Sequence, residues 1–519
     1  MFRNVVRKFA SSSVRSVPTF NVAIVGTGPA GFYTAHHLLN KSSPKDQFVL
    51  NVDFFEKNPV PYGLSRYGVA PDHPEVKNCE EYLDNIMSKY GSNSATDGDQ
   101  QLEQNSSHRV RFFGNVEIGK DITLQDLEEK YHSIILSYGC THSDNKLSVP
   151  GADLKGIISA REFVSWYNGS VDFHESGLKP PPLDKVDTVT IIGNGNVALD
   201  VARVLLADPD SHWTKTDISV SALEHLRKST VKKVNIVARR GILESAFSNK
   251  EIRELLELSN GTNIKFLPID DKLTDEIRPN VKSLNRIDKR KFQLLDKYSK
   301  LEQNTDIEVT KSWELIYLRS PIEFIGNNLN SVSETKFVLN YLEKDSFTGS
   351  VKVSKTSETE IIKNELVILS IGYQGIPLEE FEELDISFDR NRILNNEGRI
   401  LSSSNSGGES SHKLVYRPGW YTSGWIKNGP KGVIATTMME SFETADSVLE
   451  DLSNNIKTEG PENLKVGVNG LPEESRGVSW QEWKKIDQFE RNLGKEHGKE
   501  RTKIESKEEL LQIAHDLKN

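Results

Sequence analysis

Asn21-Val22-Ala23-Ile24-Val25-Gly26-Thr27-Gly28-Pro29-Ala30-Gly31 is the run that decides the fold. Five residues suited to a buried strand lead into Gly-x-Gly-x-x-Gly, and Ala30 to Asn40 continues with Ala35, Leu38 and Leu39 at helical spacing. In such a turn the first glycine makes the bend, the second lets backbone approach a pyrophosphate, and the third lets helix pack on strand. The helix start then offers free N–H groups and a favourable dipole to an anion. A lone fingerprint of this kind is weak evidence. Here a second follows: Val189 to Ile192 runs into Gly193-Asn194-Gly195-Asn196-Val197-Ala198, and Val197 to Leu206 reads as its helix.

The strand ends downstream carry opposite charges. Phe48 to Phe55 ends at Glu56, an acid placed to accept both hydroxyls of an adenosine ribose. Val234 to Val237 ends at Arg239-Arg240, two guanidiniums that suit a 2′-phosphate and leave no acid for a free 2′-hydroxyl. The asymmetry points to FAD at the first fingerprint and NADP(H) at the second. A third run, Trp420-Tyr421-Thr422-Ser423-Gly424-Trp425 followed by Asn428-Gly429-Pro430-Lys431-Gly432-Val433-Ile434, again aims a helix start at a ligand, with Trp425 able to pack on a flavin or ribityl chain. Asp72 and His73, in a Pro- and Gly-rich loop, form a candidate acid–base pair, although hydride transfer does not require one.

Composition limits the alternatives. The chain has 519 residues, enough for two or three domains, and a formal charge of −10, which argues against a general nucleic-acid binder. No apolar run is long enough for a membrane-spanning helix. Cys79 and Cys140 are its two cysteines, too far apart in sequence for a dithiol motif or a cysteine-ligated cluster, and no metal is expected. Electrons therefore have to leave the protein. Against the acidic whole, residues 278–300 hold eight basic side chains, among them Arg286, Arg290 and Lys291, and two acids, Asp288 and Asp296. Such a stretch would steer an acidic partner. The start, residues 1–19, is basic, serine-rich and free of acids, as in a mitochondrial transit peptide.

The expected architecture is α/β, with two Rossmann-like dinucleotide-binding domains and the NADP domain inserted into the FAD domain. Residues 20–140 form the first part of the FAD domain, 141–371 the NADP domain, and 372–519 the rest of the FAD domain with a C-terminal tail. Residues 302–363 read as antiparallel strands, and the segments near 91–107, 208–230 and 402–412 read as enlarged surface loops.

Together the runs VAIVGTGPAGFYTAHHLL, VPYGLSRYGVAPDHPEVKN, IIGNGNVALDVARVLL, VARRGILESAF with NKEIREL, and SGWIKNGPKGVIATTM resemble the mitochondrial adrenodoxin (ferredoxin) reductase family from about residue 20 to 450. The resemblance implies FAD contacts from Ala30, Glu56, Leu64, Ile118, Trp425 and Gly432 to Ile434. It implies NADP contacts from Asn194, Gly195, Asn196, Val197, Arg239, Arg240, Glu251 and Gly432. Arg286 and Arg290 fall where the family places basic residues for its ferredoxin, though Asn285, Ile287 and Asp288 interrupt the denser arginine run. The implied reaction is hydride from NADPH to FAD, then single electrons to an acidic mitochondrial [2Fe–2S] ferredoxin serving iron–sulfur, haem or steroid-type pathways. The chain is expected to be a monomer in the matrix, without a transmembrane segment and with at most a peripheral hold on the inner membrane. Two rival readings stay open here: a flavin oxidoreductase with a small-molecule acceptor, and a binding subunit without activity.

Overall fold

A computed structural model describes residues 18–42, 48–91, 108–141, 143–301, 307–345, 349–404, 413–432, 434–458, 465–471 and 477–516. The transit-peptide stretch up to residue 17, the insertion at 92–107, most of that at 402–412, and Val433 lie outside them.

The chain divides into two compact units. The first comprises the described parts of residues 1–61, 81–138 and 377–481. Its sheet runs in the order Asn395–Asn396, Arg399–Ser404, Lys413–Thr422, Ser133–Leu136, Thr19–Val25, Val49–Glu56, Arg109–Gly114. The five strands from Lys413–Thr422 onward are parallel. Their burial is nearly continuous: all of Thr19–Val25 except its first residue is buried, as a strand covered on both faces requires. The order reverses beside Thr19–Val25, so that strand ends at a topological switch point, where doubly wound sheets bind ligands. The fingerprint helix Pro29–Lys41 packs along the long helix Ile434–Thr458. Polar contacts fix the pairing. His37 stacks on Phe442 at 4.3 Å and lies 2.8 Å from Asp446, and a buried hydroxyl chain joins Thr34 to Ser423 at 3.0 Å and Ser423 to Ser441 at 3.1 Å.

The second unit comprises residues 62–80, the described parts of 139–376, and 482–516. Its six-stranded sheet is parallel throughout, in the order Ile157–Ser159, Leu366–Leu369, Thr188–Ile192, Lys233–Val237, Lys311–Ile316, Ile264–Phe266. Thr188–Ile192 lies between Leu366–Leu369 and Lys233–Val237, again at a switch point. An antiparallel sheet of Arg319–Gly326, Val332–Lys344 and Val351–Lys363 completes the unit.

Three expectations differ. Lys311–Ile316 is a parallel strand of the large sheet, with Trp313 paired to Val234 and fully buried, and antiparallel pairing begins only at Arg319. The 208–230 segment is more than an enlarged loop: it holds the short π-helix Pro209–Trp213 and the helix Val220–Arg227, pinned by a fully buried Trp213. Residues 62–80 and 482–516 group with the second unit rather than with the first sheet. Their charged side chains have buried partners there.

Candidate functional site

At the first fingerprint, Gly26 has φ +96°, and a Cβ on it would lie 2.8 Å from the Ser137 carbonyl oxygen, across the switch point. A Cβ on Gly31 would overlap the Gly26 carbonyl oxygen. Both glycines are thus demanded by the protein itself. Gly28 is not: its φ of −73° suits any residue, and a Cβ there would meet nothing within 4 Å. Gly28 is nevertheless the N-cap of a 13-residue helix that has no side-chain cap. The first N–H groups, with Pro29 at the opening position, are left for a partner from outside the chain.

Glu56 closes the neighbouring strand and is 8% exposed. Its Oε2 accepts the Thr27 N–H at 3.0 Å and the Thr27 hydroxyl at 2.7 Å, and Oε1 accepts the Asn58 N–H at 3.2 Å. Burial raises its pKa, with those donors opposing the rise. One carboxylate therefore clamps the fingerprint loop from both of its oxygens. Gly424 approaches so closely that a Cβ there would overlap Ala30 Cβ, which brings the Trp425 turn against the fingerprint helix. Trp425 opens the short helix Trp425–Asn428 and is half-buried; Ile118 is buried; Gly432 is exposed and Ile434 begins the long helix. Leu64 belongs to the second unit, where it opens the helix Leu64–Tyr67.

The second fingerprint repeats the logic. Gly193 has φ +114°, and a Cβ on it would overlap the Ser370 carbonyl oxygen. Gly195 has nothing within 4 Å of its Cβ position and caps the helix Asn196–Leu206 without a side-chain bond. The buried Asn194 Nδ2 has no hydrogen-bond partner among the described residues. Asn196 Oδ1 accepts the Ser248 N–H at 2.8 Å, while Ser248 caps the helix Asn249–Glu257 that carries Glu251. Val197 is half-buried in the first turn. Arg239 and Arg240 are exposed, and their backbone carbonyls are fixed by Asn340 Nδ2 at 2.9 Å and the Leu318 N–H at 3.2 Å. Among the described residues neither guanidinium enters an ion pair. Two unpaired cations stand on a pinned backbone.

The loop pair Asp72 and His73 joins a charge cluster that extends beyond what its sequence suggests. Arg203, on the fingerprint helix and 2% exposed, forks onto Asp72 at 2.6 and 2.9 Å and also reaches Asp200 at 2.8 Å and His73 Nε2 at 3.3 Å. His73 Nε2 lies 2.8 Å from Glu254, and His212 Nε2 lies 2.9 Å from Asp72. Burial works against ionisation of Asp72, but the hydrogen bonds from His212 and Arg203 prevail and hold its carboxyl far below the usual range. Glu251 is raised by burial and by the charges of Asp200 and Glu254, and its Oε2 is buried without a hydrogen-bond partner. Arg203 and Asp200 escaped sequence reading, although two charges three apart in the otherwise apolar NVALDVARVLL were their signal.

The basic stretch separates into parts. In the helix Arg286–Ser299, Arg286 and Arg290 are exposed and share a face with Lys297, with Ile287 exposed beside them. Lys291 is a correction: it is 5% exposed, and its ammonium donates to the Ser245 carbonyl at 2.9 Å. The phase that buries Phe292 and Leu295 turns Lys291 inward with them, so it offers no charge to a partner. Arg278 and Lys300 are spent on Asp296.

The parallel sheets and two uncapped cradles define an oxidoreductase of the two-dinucleotide, flavoprotein class. Residues 20–269 match the family model described as pyridine nucleotide-disulphide oxidoreductase. The chain is 39% identical, over 94% of its length and 95% of the relative's, to the probable mitochondrial NADPH:adrenodoxin oxidoreductase of Saccharomyces cerevisiae. It is 36% identical to that of Bos taurus, over 98% and 94%. Among solved structures, FprA of Mycobacterium tuberculosis in complex with NADPH superposes with a TM-score of 0.80 at 33% identity, over 96% of this chain and 100% of that one. The chain belongs to the NADPH:adrenodoxin oxidoreductase family. The disulphide in the wider family's description has no counterpart here: Cys79 and Cys140 are buried and not joined in a disulfide, and burial pushes Cys140 up to about 12.

Two expectations follow. Gly28→Ala and Gly195→Ala should keep thermal stability within about 1 kcal/mol, since only an N-cap preference changes, yet lose FAD retention and NADP+ affinity respectively. Gly193→Ala should fail to fold, and equal behaviour of all three in melting and binding assays would contradict the open-cradle reading. Asp72 stabilises fully above the ordinary carboxylate pKa of about 4, and that stabilisation drains away as pH falls below it toward the depressed folded value. Urea midpoints measured against pH should show a flatter acid limb in Asp72→Asn; an unchanged limb would count against the Arg203–Asp72–His212 cluster.

Proposed function

We propose that the chain is a mitochondrial NADPH-dependent flavoprotein that passes electrons from NADPH to an adrenodoxin-type [2Fe–2S] ferredoxin. The observation that carries the reading is the pair of cradles with opposite charge: Glu56 beside the first, unpaired Arg239 and Arg240 beside the second. The mitochondrial relatives named NADPH:adrenodoxin oxidoreductase support the electron donor, the acceptor and the compartment.

On this reading Gly26, Gly28, Pro29, Ala30, Gly31, Glu56, Ile118 and Trp425 hold FAD, with Gly432 and Ile434 completing its surroundings. The uncapped N–H groups of the helix Pro29–Lys41 meet its pyrophosphate and Glu56 its ribose. Asn194, Gly195, Asn196 and Val197 meet the pyrophosphate of NADPH, Arg239 and Arg240 its 2′-phosphate, and Glu251 completes that set. FAD, when bound, accepts a two-electron hydride and can give up electrons one at a time. The chain's own work is orientation and electrostatics: it fixes both dinucleotides on rigid helix starts. Asp72 and His73 are held too firmly by Arg203 and Glu254 for free proton relay, which favours a supporting role. The exposed face of Arg286, Arg290 and Lys297 steers the acidic ferredoxin by charge at modest affinity. The chain acts as a monomer in the matrix.

Two measurements test the assignments. Arg239→Ala/Arg240→Ala should raise the KM for NADPH about a hundredfold, since two charge-assisted bonds are lost, and leave NADH use nearly unchanged; an equal loss for both nucleotides would refute the 2′-phosphate role. Arg286→Glu/Arg290→Glu should slow ferredoxin-coupled cytochrome c reduction, and raised salt should slow the wild type likewise. If ferricyanide reduction falls in step, the docking face lies elsewhere.

A further inference from the structure

The loop 62–80 has little structure of its own. It contains the four-residue helices Leu64–Tyr67 and Pro74–Lys77 with Asp72 and His73 between them. Such a segment holds its shape only through its anchors. One anchor, Arg203, lies on the fingerprint helix, as described above. The others come from the C-terminal segment and its neighbours.

Glu490 is fully buried. Its two oxygens accept Arg66 Nη2 at 2.6 and 2.7 Å, Arg501 Nη1 at 3.0 Å and the Ile504 N–H at 3.0 Å. Its backbone carbonyl accepts the Thr502 N–H at 2.9 Å. The Arg66 guanidinium also lies over the rings of Tyr67 and Trp483, at 5.1 and 5.4 Å. Near the other end of the loop Lys77 donates to Asp217 at 2.6 and 2.7 Å. Asp217 is shared with Lys503 at 3.0 Å, and the Lys503 ammonium in turn donates to the Arg66 carbonyl at 3.2 Å. Arg66 and Lys77 bracket Asp72 and His73, and both lead to residues 490–503. Glu490 joins the helix Trp480–Glu496 to the return at 501–504, so a single carboxylate ties the tail to itself and to the loop. The return is close: a Cβ on Gly494 would overlap Arg501 Cα.

Buried ion pairs contribute little net stability compared with apolar residues of like shape, but they fix geometry. We propose that the C-terminal segment is a strap, and that Glu490 is a positioning residue that holds the loop bearing Asp72 and His73 in register for hydride transfer from NADPH. The proposal rests on the assignment of NADPH to the second fingerprint. Glu490 is fully buried and acts through Arg66.

Hydrogen exchange on the full-length chain, paired with anaerobic flavin reduction, tests it. In Glu490→Gln, amides of residues 62–80 should exchange at least about tenfold faster while those of Thr188–Ile192 keep their protection. On the FAD-loaded protein the rate of flavin bleaching by NADPH should fall about tenfold with the Kd for NADP+ within about threefold, a loss confined to the reacting geometry. Arg66→Met, which cuts the link to the loop and leaves Glu490 its bonds to Arg501 and the Ile504 N–H, should reproduce both losses. A loosened loop with wild-type bleaching, slow bleaching with a protected loop, or a matching loss of NADP+ affinity would each overturn the proposal. If Glu490→Gln loses protection in Thr188–Ile192 as well, Gly494→Val, which breaks the return without touching a charge, takes its place under the same criteria. A wild type that NADPH does not bleach would sink the function proposed above, and the exchange data would still report whether the strap holds the loop.

Discussion

An uncapped helix N-terminus behind a glycine that faces empty space is the constraint on which the rest depends. It occurs twice, at Gly28 and at Gly195. Folding alone does not ask for glycine at either position, and glycine at an N-cap forgoes about a few tenths of a kcal/mol relative to Ser or Asp. Folding does ask for Gly26 and Gly193, because the strand across each switch point runs too close for a side chain. The separation of roles within one motif distinguishes the part of the loop that serves the chain from the part that serves a ligand.

What differs between the cradles is charge. Glu56 is buried, satisfied by Thr27 and Asn58, and bound into its loop. Arg239 and Arg240 are exposed with only their backbones held. A carboxylate that has already lost most of its water costs little more to place against neutral hydroxyls, whereas two hydrated guanidiniums suit a doubly charged phosphate at the rim. The cluster around Arg203 adds a third element. It ties the helix that presents one cradle to the loop carrying Asp72 and His73, so that a shift of either is felt by the other.

The fingerprints were legible because their requirements are local: strand, glycine turn and apolar helix lie within some twenty residues each. Glu56 and Arg239-Arg240 were legible as strand-end residues for the same reason. The pairing of Lys311–Ile316 was not, since an alternating Trp313 and Leu315 reads alike in parallel and antiparallel sheets. The burial of Lys291 is not legible in a run of cations, which gives charge without helical phase; Phe292 and Leu295 mark the inward face that also claims it. The tail was hidden by composition. Glu490, Arg501 and Lys503 look solvent-exposed in a charged sequence, and only their mutual distances, set by contacts hundreds of residues apart, reveal that they are buried.

The central claim is that one chain holds two different dinucleotides, the phosphorylated one at the arginines. Anaerobic titration of the purified protein with NADPH and with NADH is its most direct test. One flavin per chain should be present and should bleach with NADPH at a kcat/KM about a hundredfold above that for NADH, the value of two charge-assisted contacts. A protein that carries no flavin, or that bleaches equally well with NADH, would contradict it.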